Sequence, residues 1–151
     1  MNEIMKKIVI ISLLAALMAV AACAKDPELK IEYSQLPEQA QQFLEKNFPG
    51  VQTKKTTQKF DDGIAEYKVY LKNGAVVEFD MIGGWNEIML KKGDMPRSVL
   101  PAVILETLDS RFGDKRIVKL DNDGYKYEIK FSDKSEVEIT ANGVITDYDH
   151  D

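Results

Sequence analysis

The stretch that decides the fold is residues 67–80, which read YKVYLKNGAVVEFD. Apolar and polar residues alternate along both ends of this stretch, and a period of two is typical of strands with one buried face. Asn73 and Gly74 lie between the two ends, and this pair favours a tight type I′ turn. The stretch therefore predicts an antiparallel hairpin, with a second strand that runs from Ala75 to Met81.

An amphipathic helix is predicted ahead of this hairpin. Pro37 suits the first helical turn, where its missing N–H is not needed. Apolar residues then recur at three- to four-residue spacing as far as Phe48, and Pro49 and Gly50 end the pattern. We therefore expect one helix followed by antiparallel strands.

A second helix and hairpin follow in the same order. An apolar stripe runs from Val99 to Phe112, and either Pro101 begins this helix or it kinks a helix that begins near Pro96. Strand-like alternation then extends over residues 125–139, with Tyr125 on the apolar side. The order of elements indicates a duplicated unit.

Matched positions support the duplication. Leu36 and Leu100 open the two helices, and Tyr67 and Tyr127 occupy matching places in the strands. The offset between the two leucines is longer than the offset between the two tyrosines, which predicts a longer first hairpin, around residues 61–63. The alternative is a chance resemblance between two amphipathic segments.

These patterns predict an α+β fold of two tandem repeats, each a helix plus four antiparallel strands. We assign the first repeat to residues 36–92 and the second to residues 93–151. The helices are expected to pack on one face of the sheet and to leave the other face open, because antiparallel sheets commonly bury one side only.

Residues 1–22 have the pattern of a signal peptide. Lys6 and Lys7 precede an uncharged apolar run over positions 8–22. This run is too short for a permanent membrane-spanning helix, which needs roughly 20 residues. We therefore expect cleavage and export.

The apolar run ends in Val-Ala-Ala before Cys23, the only cysteine of the chain, and this resembles the lipobox of bacterial lipoproteins. We predict that Cys23 is lipidated and that residues 23–35 form a tether, which would anchor the chain to the bacterial envelope in the periplasm or at the cell surface. Lys25 and Asp26 resemble the signal that sends some Bacteroidetes lipoproteins to the surface. The alternative is cleavage at a small-residue site ending at Ala21, with Cys23 incidental.

The charge of the chain disfavours two classes of partner. Without residues 1–22 the chain loses Lys6, Lys7 and Glu3 from its 20 basic and 25 acidic residues, which leaves 18 and 24 and a net charge of −6. Nucleic acids and anionic lipids both attract basic surfaces. We therefore expect no nucleic-acid partner and a membrane contact through the lipid anchor only.

The sequence offers no set of residues for catalysis, a metal or a cofactor. His150, the only histidine, lies next to the C-terminus, where chains usually fray. Residues 121–124 resemble the start of a calcium loop, but Ser132 stands at the twelfth position, where a bidentate Glu is required. We interpret them as a turn, and the acidic residues 147–151 as a solvated end.

Aromatic residues at the strands suggest a binding surface. Tyr70 and Val76 lie on the polar side of their strands, and Trp85 follows a double glycine. Large rings of this kind commonly anchor protein interfaces, so we name Tyr70, Val76 and Trp85 as candidate partner-binding residues. Trp85 could instead cap the edge of the core.

The chain resembles the tandem PepSY-like proteins, secreted Bacteroidetes proteins related in fold to the β-lactamase inhibitory protein. The resemblance covers residues 36–148 and is carried by Phe48-Pro49-Gly50, Tyr67 and Val69, Asn-Gly, residues 78–80 and Gly84-Trp85. The second copy departs from this pattern at residues 113–114, at Lys134 and at Ile145.

The resemblance implies a binding or inhibitory module that grips its partner with an exposed sheet face. We therefore expect a non-enzymatic extracytoplasmic lipoprotein that binds a protein or peptide, with inhibition of a hydrolase as one form of that role. The alternatives are a structural envelope lipoprotein without a defined client and an enzyme that uses paired carboxylates.

Overall fold

The computed structural model of the protein describes residues 27–150. The expected signal peptide, Cys23 and the Lys25-Asp26 signal lie outside these residues. None of the described helices has the length and apolar character needed to cross a membrane.

Nine strands form one antiparallel sheet, in which each strand pairs with the next strand along the chain. This confirms the predicted α+β class with an antiparallel sheet. The strands are β1 (Leu29–Ile31), β2 (Thr53–Asp61), β3 (Ile64–Leu71), β4 (Ala75–Phe79), β5 (Trp85–Leu90), β6 (Ile117–Asn122), β7 (Lys126–Phe131), β8 (Glu136–Thr140) and β9 (Ile145–Asp149).

Two α-helices interrupt the series of strands. Helix α1 spans Glu38–Asn47 before β2, and α2 spans Ala102–Phe112 before β6. Proline is the N-cap residue of both, so Pro101 begins the second helix and does not kink a longer one. Short 3-10 turns precede the helices at Tyr33–Gln35 and Arg97–Val99.

The core forms where the apolar side of the strands meets the helices. Phe43 of α1 contacts Phe79 of β4 edge-on, with ring centroids 5.7 Å apart, and Phe112 of α2 lies 5.3 Å from Phe131 of β7. Strand register places the buried residues in rows across the sheet, and one such row comprises Val69, Val77, Ile88, Leu120, Ile129 and Val137. We call this side of the sheet the core face.

The hairpin at residues 67–80 forms as predicted, but its turn is not type I′. Type I′ requires a positive φ at both central residues. Gly74 has φ +90°, whereas Asn73 is not among the described non-glycine residues with positive φ. The connection is a three-residue loop in which the Gly74 N–H donates to the Leu71 carbonyl over 3.1 Å. A type I′ pair is found instead at Asp62 and Gly63 (φ +48° and +79°), the tip of the β2–β3 hairpin.

Two residues assigned to strands lie in turns. Strand β4 ends at Phe79, and Met81 follows in a turn with 57% of its surface exposed. The Asp80 carboxylate ends the strand by accepting the N–H groups of Ile82 and Gly84 at 2.9 and 2.8 Å. Tyr125 precedes β7 and is 85% exposed.

The first strand, β1, was not predicted. It is three residues long and forms one edge of the sheet, antiparallel to β2. Residues 29–35 thus join the folded domain, although the sequence suggested a tether as far as residue 35.

Candidate functional site: the polar face of the sheet

The side of the sheet opposite the core face carries a regular array of polar and half-buried side chains, which we call the polar face. Its members alternate with the buried residues along each strand. They include Lys30 of β1, Lys55, Thr57 and Lys59 of β2, Glu66, Lys68 and Tyr70 of β3, Val76 and Glu78 of β4, Glu87 and Met89 of β5, Lys119 and Asp121 of β6, Lys126, Glu128 and Lys130 of β7, Glu136, Glu138 and Thr140 of β8, and Asp147 and Asp149 of β9.

Three adjacent strands contribute an apolar strip to the polar face. Register pairs Tyr70 with Val76 and Val76 with Met89, and directly opposed side chains on one face lie within contact range. All three are half-buried. The Lys55 ammonium lies 5.3 Å from the centroid of the Tyr70 ring. Tyr70 and Val76, two of the predicted residues, are therefore neighbours, and Met89 extends their surface.

A row of carboxylates crosses the polar face beside this strip. Directly paired positions place Glu78 against Glu87, Glu87 against Asp121, Asp121 against Glu128, Glu128 against Glu138 and Glu138 against Asp147. Like charges in directly opposed positions destabilise a sheet. Electrostatic repulsion between neighbouring carboxylates therefore acts along six adjacent strands.

Lysines offset part of that repulsion. Lys119 lies 2.9 Å from both Glu87 and Asp121, and Lys126 lies 2.9 Å from Glu138 and 3.3 Å from Glu128. Burial of Lys119 favours its neutral form, but the two carboxylates outweigh burial and raise the pKa of Lys119 well above its usual value. The lysines therefore remain charged and hold the row together.

Trp85 lies on the core face, apart from Tyr70 and Val76. Its ring is 6.2 Å from Phe43 of α1 and 6.1 Å from Tyr127 of β7. The cause is a β-bulge, because Glu78 pairs with Glu87 whereas Phe79 pairs with Trp85, which leaves Asn86 as an extra residue. The extra residue reverses the alternation and turns Trp85 inward. This is the core-capping position that the sequence left open.

The residues considered in the sequence for a calcium loop or for catalysis make local contacts within turns and at the C-terminal end. The Asp123 carboxylate accepts the Lys126 and Tyr125 N–H groups in the β6–β7 turn, and these hydrogen bonds lower the pKa of Asp123. His150 stacks on Tyr148, with ring centroids 5.5 Å apart. Within residues 27–150, no three His, Cys, Asp or Glu side chains converge in a way that could hold a metal ion.

Sequence reasoning missed Met89 and the carboxylate row. Alternation could have identified Met89, because it lies two residues after Glu87 in β5 and so faces the same side of the sheet. The row depends on the register between β5 and β6, which are separated along the chain by a long connection that contains α2. Neither strand specifies that register by itself.

The fold and this face define an α+β protein built on a nine-stranded antiparallel sheet. The chain belongs to the PepSY-like family: the family profile, described as "Putative beta-lactamase-inhibitor-like, PepSY-like", matches residues 65–147. This confirms the family resemblance noted in the sequence. No protein with a curated functional description matches the chain.

Solved structures from Bacteroides are similar along most of the chain. A "putative calcium-regulated periplasmic protein" from Bacteroides thetaiotaomicron is 28% identical, with a TM-score of 0.76, over 82% of this chain and 97% of that protein. A "putative periplasmic protein from DUF2874 family" from Bacteroides vulgatus is also 28% identical, with a TM-score of 0.78, over 84% and 100%. A second Bacteroides vulgatus periplasmic protein of unknown function, 22% identical with a TM-score of 0.76, shares the fold over 82% of this chain and 99% of its own.

These similarities support export of the chain to the periplasm. The calcium in the name of the Bacteroides thetaiotaomicron protein is a property of that protein. The described residues of this chain do not fit a calcium site, because carboxylate oxygens do not converge on a common centre.

Proposed function

We propose that this protein is a non-enzymatic periplasmic binding module whose polar face docks a protein partner that carries basic side chains beside an apolar contact. The observation that carries the proposal is the continuous row of carboxylates beside the strip formed by Tyr70, Val76 and Met89. Opposed like charges destabilise a sheet unless cations compensate them, and from β6 to β9 the carboxylates outnumber the lysines. The excess negative charge is available to basic side chains of a partner.

The geometry favours a macromolecular partner over a small ligand. Both helices contact core-face residues of the strands, through Phe43 and Phe112, and we infer that the polar face is the open side of two tandem helix-and-sheet units. The apolar strip and the carboxylate row together extend over strands β3 to β9. A surface of that width suits a protein partner, since small-molecule sites are enclosed pockets.

Charge complementarity specifies the partner's chemistry. From β6 to β9 the polar face carries six carboxylates at Asp121, Glu128, Glu136, Glu138, Asp147 and Asp149 against three lysines at Lys119, Lys126 and Lys130. A lysine- or arginine-rich surface complements this excess and is steered toward it over long range. Tyr70, Val76 and Met89 supply the apolar centre that interfaces need.

Affinity capture from the periplasm of the native host tests the proposal. The bait proteins are the wild type, a Tyr70→Ala, Val76→Ser double variant and a Glu128→Lys, Glu138→Lys double variant. A Glu106→Lys, Asp114→Lys double variant at exposed positions is the matched control, because it changes the net charge by the same amount. We expect the wild type and the control to retain one basic partner that both polar-face variants lose. Raising the salt from 0.1 to 1 M shortens the Debye length from about 10 to about 3 Å, so it should release the partner.

The charge-reversed variant tests whether the carboxylate row is the docking surface. If the Glu128→Lys, Glu138→Lys variant captures the partner as well as the wild type does, the carboxylate row is not the docking surface. Trp85→Phe serves as a second control, since its ring lies on the core face and its substitution should leave capture unchanged.

Inhibition of a hydrolase is the more specific form of the role, and the family description "beta-lactamase-inhibitor-like" favours it. The test adds the wild type or the charge-reversed variant to the captured partner and measures hydrolysis of that partner's substrate. Inhibition by the wild type alone is expected. If the wild type does not change the rate of hydrolysis, the protein binds its partner but does not inhibit it.

The proposal includes a lipid anchor at Cys23 that places the polar face at the envelope. Mass spectrometry of the N-terminus of the native protein should show an acylated Cys23, and an unmodified N-terminus after Ala21 would contradict it. A structural lipoprotein without a client remains the competing function, and a capture experiment with no specific partner would favour it.

A further inference from the structure

Beyond the polar-face partner, we propose that β1 is an internal occupant of a strand-addition site on the edge of β2, and that an extended peptide with a carboxylate one residue ahead of an apolar–x–apolar segment takes its place. The site consists of the β2 edge and a pocket centred on Thr57. It recognises the peptide by backbone pairing and by its carboxylate.

The pocket centres on a buried hydroxyl. Thr57 lies on the polar face yet is only 1% exposed. Its hydroxyl donates a hydrogen bond to the carboxylate of Glu28, the residue just before β1. Glu28, Thr57 and Lys68 line one cavity of about 540 Å³, which also reaches the tip of the β2–β3 hairpin.

Four lysines surround Thr57 on the same face. Lys55 and Lys59 are two positions away along β2, and register places Lys30 and Lys68 directly across on the neighbouring strands. The Thr57 hydrogen bond, aided by the charges of Lys55 and Lys68, lowers the pKa of Glu28 despite the opposing effect of burial. Lys59 and Lys68 also form ion pairs with Glu66 and Glu78. The carboxylate is therefore received chiefly by the Thr57 hydroxyl, with Lys55 nearby.

The occupant of this receptor is weakly held. Strand β1 has three residues, of which Leu29 and Lys30 are exposed and Ile31 is half-buried. Three register pairs connect it to β2, against eight between β2 and β3. Short edge segments with few buried contacts open at low free-energy cost. An external strand can therefore exchange with β1 by pairing with the same edge of β2.

The sequence of the occupant defines the ligand. Glu28 enters the Thr57 pocket, Leu29 and Ile31 face the core side, and Lys30 lies opposite Thr57. A ligand peptide thus needs a carboxylate followed by an apolar–x–apolar segment in an extended conformation. Because β1 competes with the ligand, the apparent affinity equals the intrinsic affinity multiplied by the fraction of molecules in which β1 has left the edge of β2.

Fluorescence anisotropy tests the exchange with a labelled, capped peptide of the sequence of residues 27–33, PELKIEY. The proteins are the wild type isolated after expression of the full chain, Glu28→Gln, Glu28→Gln with Thr57→Val, and Glu106→Gln as the matched control. Glu28→Gln weakens the internal strand, so we expect it to bind the peptide about tenfold more tightly than the wild type and the control do.

The carboxylate receptor has its own controls. Thr57→Val should remove the gain, whereas Thr57→Ser keeps a hydroxyl and should retain it, which separates loss of the site from loss of folding. A peptide with Gln in place of its first Glu should bind Glu28→Gln at least tenfold more weakly than the original peptide does.

Equal affinity of the wild type and Glu28→Gln for the peptide would overturn the proposal, and so would binding that Thr57→Val leaves intact. A dimer of the wild type that exchanges β1 between copies, detected by light scattering, would also overturn it in favour of a second copy as the occupant. Of the carboxylate row, Glu78 lines the Thr57 cavity, whereas Glu128 and Glu138, which the docking test reverses, do not. Failure of the peptide assay is therefore distinguishable from failure of the proposed partner docking.

Discussion

The two halves of the polar face differ in charge although their strands pair in the same way. Positions that strand register makes equivalent carry Thr57, Lys68, Val76 and Met89 on β2–β5, but Asp121, Glu128, Glu136 and Asp149 on β6–β9. The buried core-face residues of the two halves are apolar except for Thr56, which pairs with Val69. The comparison teaches that the same strand pairing, over a mostly apolar core face, can present two surfaces of different charge.

The halves also differ in the length of their first hairpins. Thr53 pairs with Leu71 in the first half and Ile117 with Phe131 in the second, and a bulge follows each pair. The first hairpin is the longer of the two, as the unequal spacing in the sequence predicts. Residues of this longer hairpin, together with Glu28 just before β1, line the Thr57 cavity.

The largest difference we expect on substitution concerns the two glycines at which the sheet contacts α1 and α2. Gly83 has φ +95°, and an added Cβ would lie 2.7 Å from the backbone nitrogen of Ala40 in α1. Gly143 has φ +87°, and its Cβ would lie 2.7 Å from a methyl group of Val103 and 3.2 Å from the Val103 carbonyl oxygen, so its closest contact is with a side chain and not with the backbone. Gly83→Ala should therefore cost about 3 kcal/mol and Gly143→Ala about 2 kcal/mol.

Chemical denaturation of the Gly83→Ala and Gly143→Ala variants measures the two losses in the free energy of unfolding. A loss of stability that is equal in the two, or larger for Gly143→Ala, would show that the first helix tolerates displacement as readily as the second.

A smaller effect is expected at the tight turns after β3 and β7. Gly74 (φ +90°) and Lys134 (φ +76°) occupy matching places, and each N–H donates over 3.1 Å to the last residue of the strand before it. A left-handed conformation costs a side-chain-bearing residue about 1 kcal/mol. Lys134→Gly should therefore raise the free energy of unfolding by up to about 1 kcal/mol, and Gly74→Ala should lower it by a similar amount.

Thermal unfolding of the two variants checks the turns. Lys134→Ala, which removes the charge but keeps the Cβ, is the control and should not stabilise the protein. Stabilisation by Lys134→Ala equal to that by Lys134→Gly would assign the effect to charge and not to the backbone.

The smallest effect is a difference in acid sensitivity between these same turns. The hydrogen bonds from Lys115 and Ser135 lower the pKa of Asp133 to about 2, whereas Asn73 accepts the equivalent N–H, that of Ala75, without a charge. A lowered folded-state pKa stabilises the protein above the unfolded pKa of about 3.9, and this contribution is lost as the pH falls toward 2.

Asp133→Asn should therefore flatten the dependence of stability on pH between about 4 and 2 relative to the wild type. Urea unfolding at several pH values measures the slope, with exposed Asp114→Asn as the control. Identical slopes for the wild type and Asp133→Asn would show that the Lys115 pair contributes nothing to folding.

Local patterns predicted most of this fold because alternation and proline placement act over a few residues. Tyr70 and Val76 were placed on the polar face from alternation alone, and Pro37 marked the start of α1. Trp85 could not be placed, since the single extra residue at Asn86 reverses the alternation without a signature in composition. Strand β1 was missed because so short a segment carries too little pattern, and its partner β2 lies beyond α1 along the chain.

A sheet that does not close leaves two edges, and an unprotected edge invites aggregation. At one edge β1 is only three residues long. At the other, β9 presents Asp147 and Asp149, both exposed. Two copies that approach by this edge would bring like charges together, so the last strand opposes edge-to-edge association of the sheets.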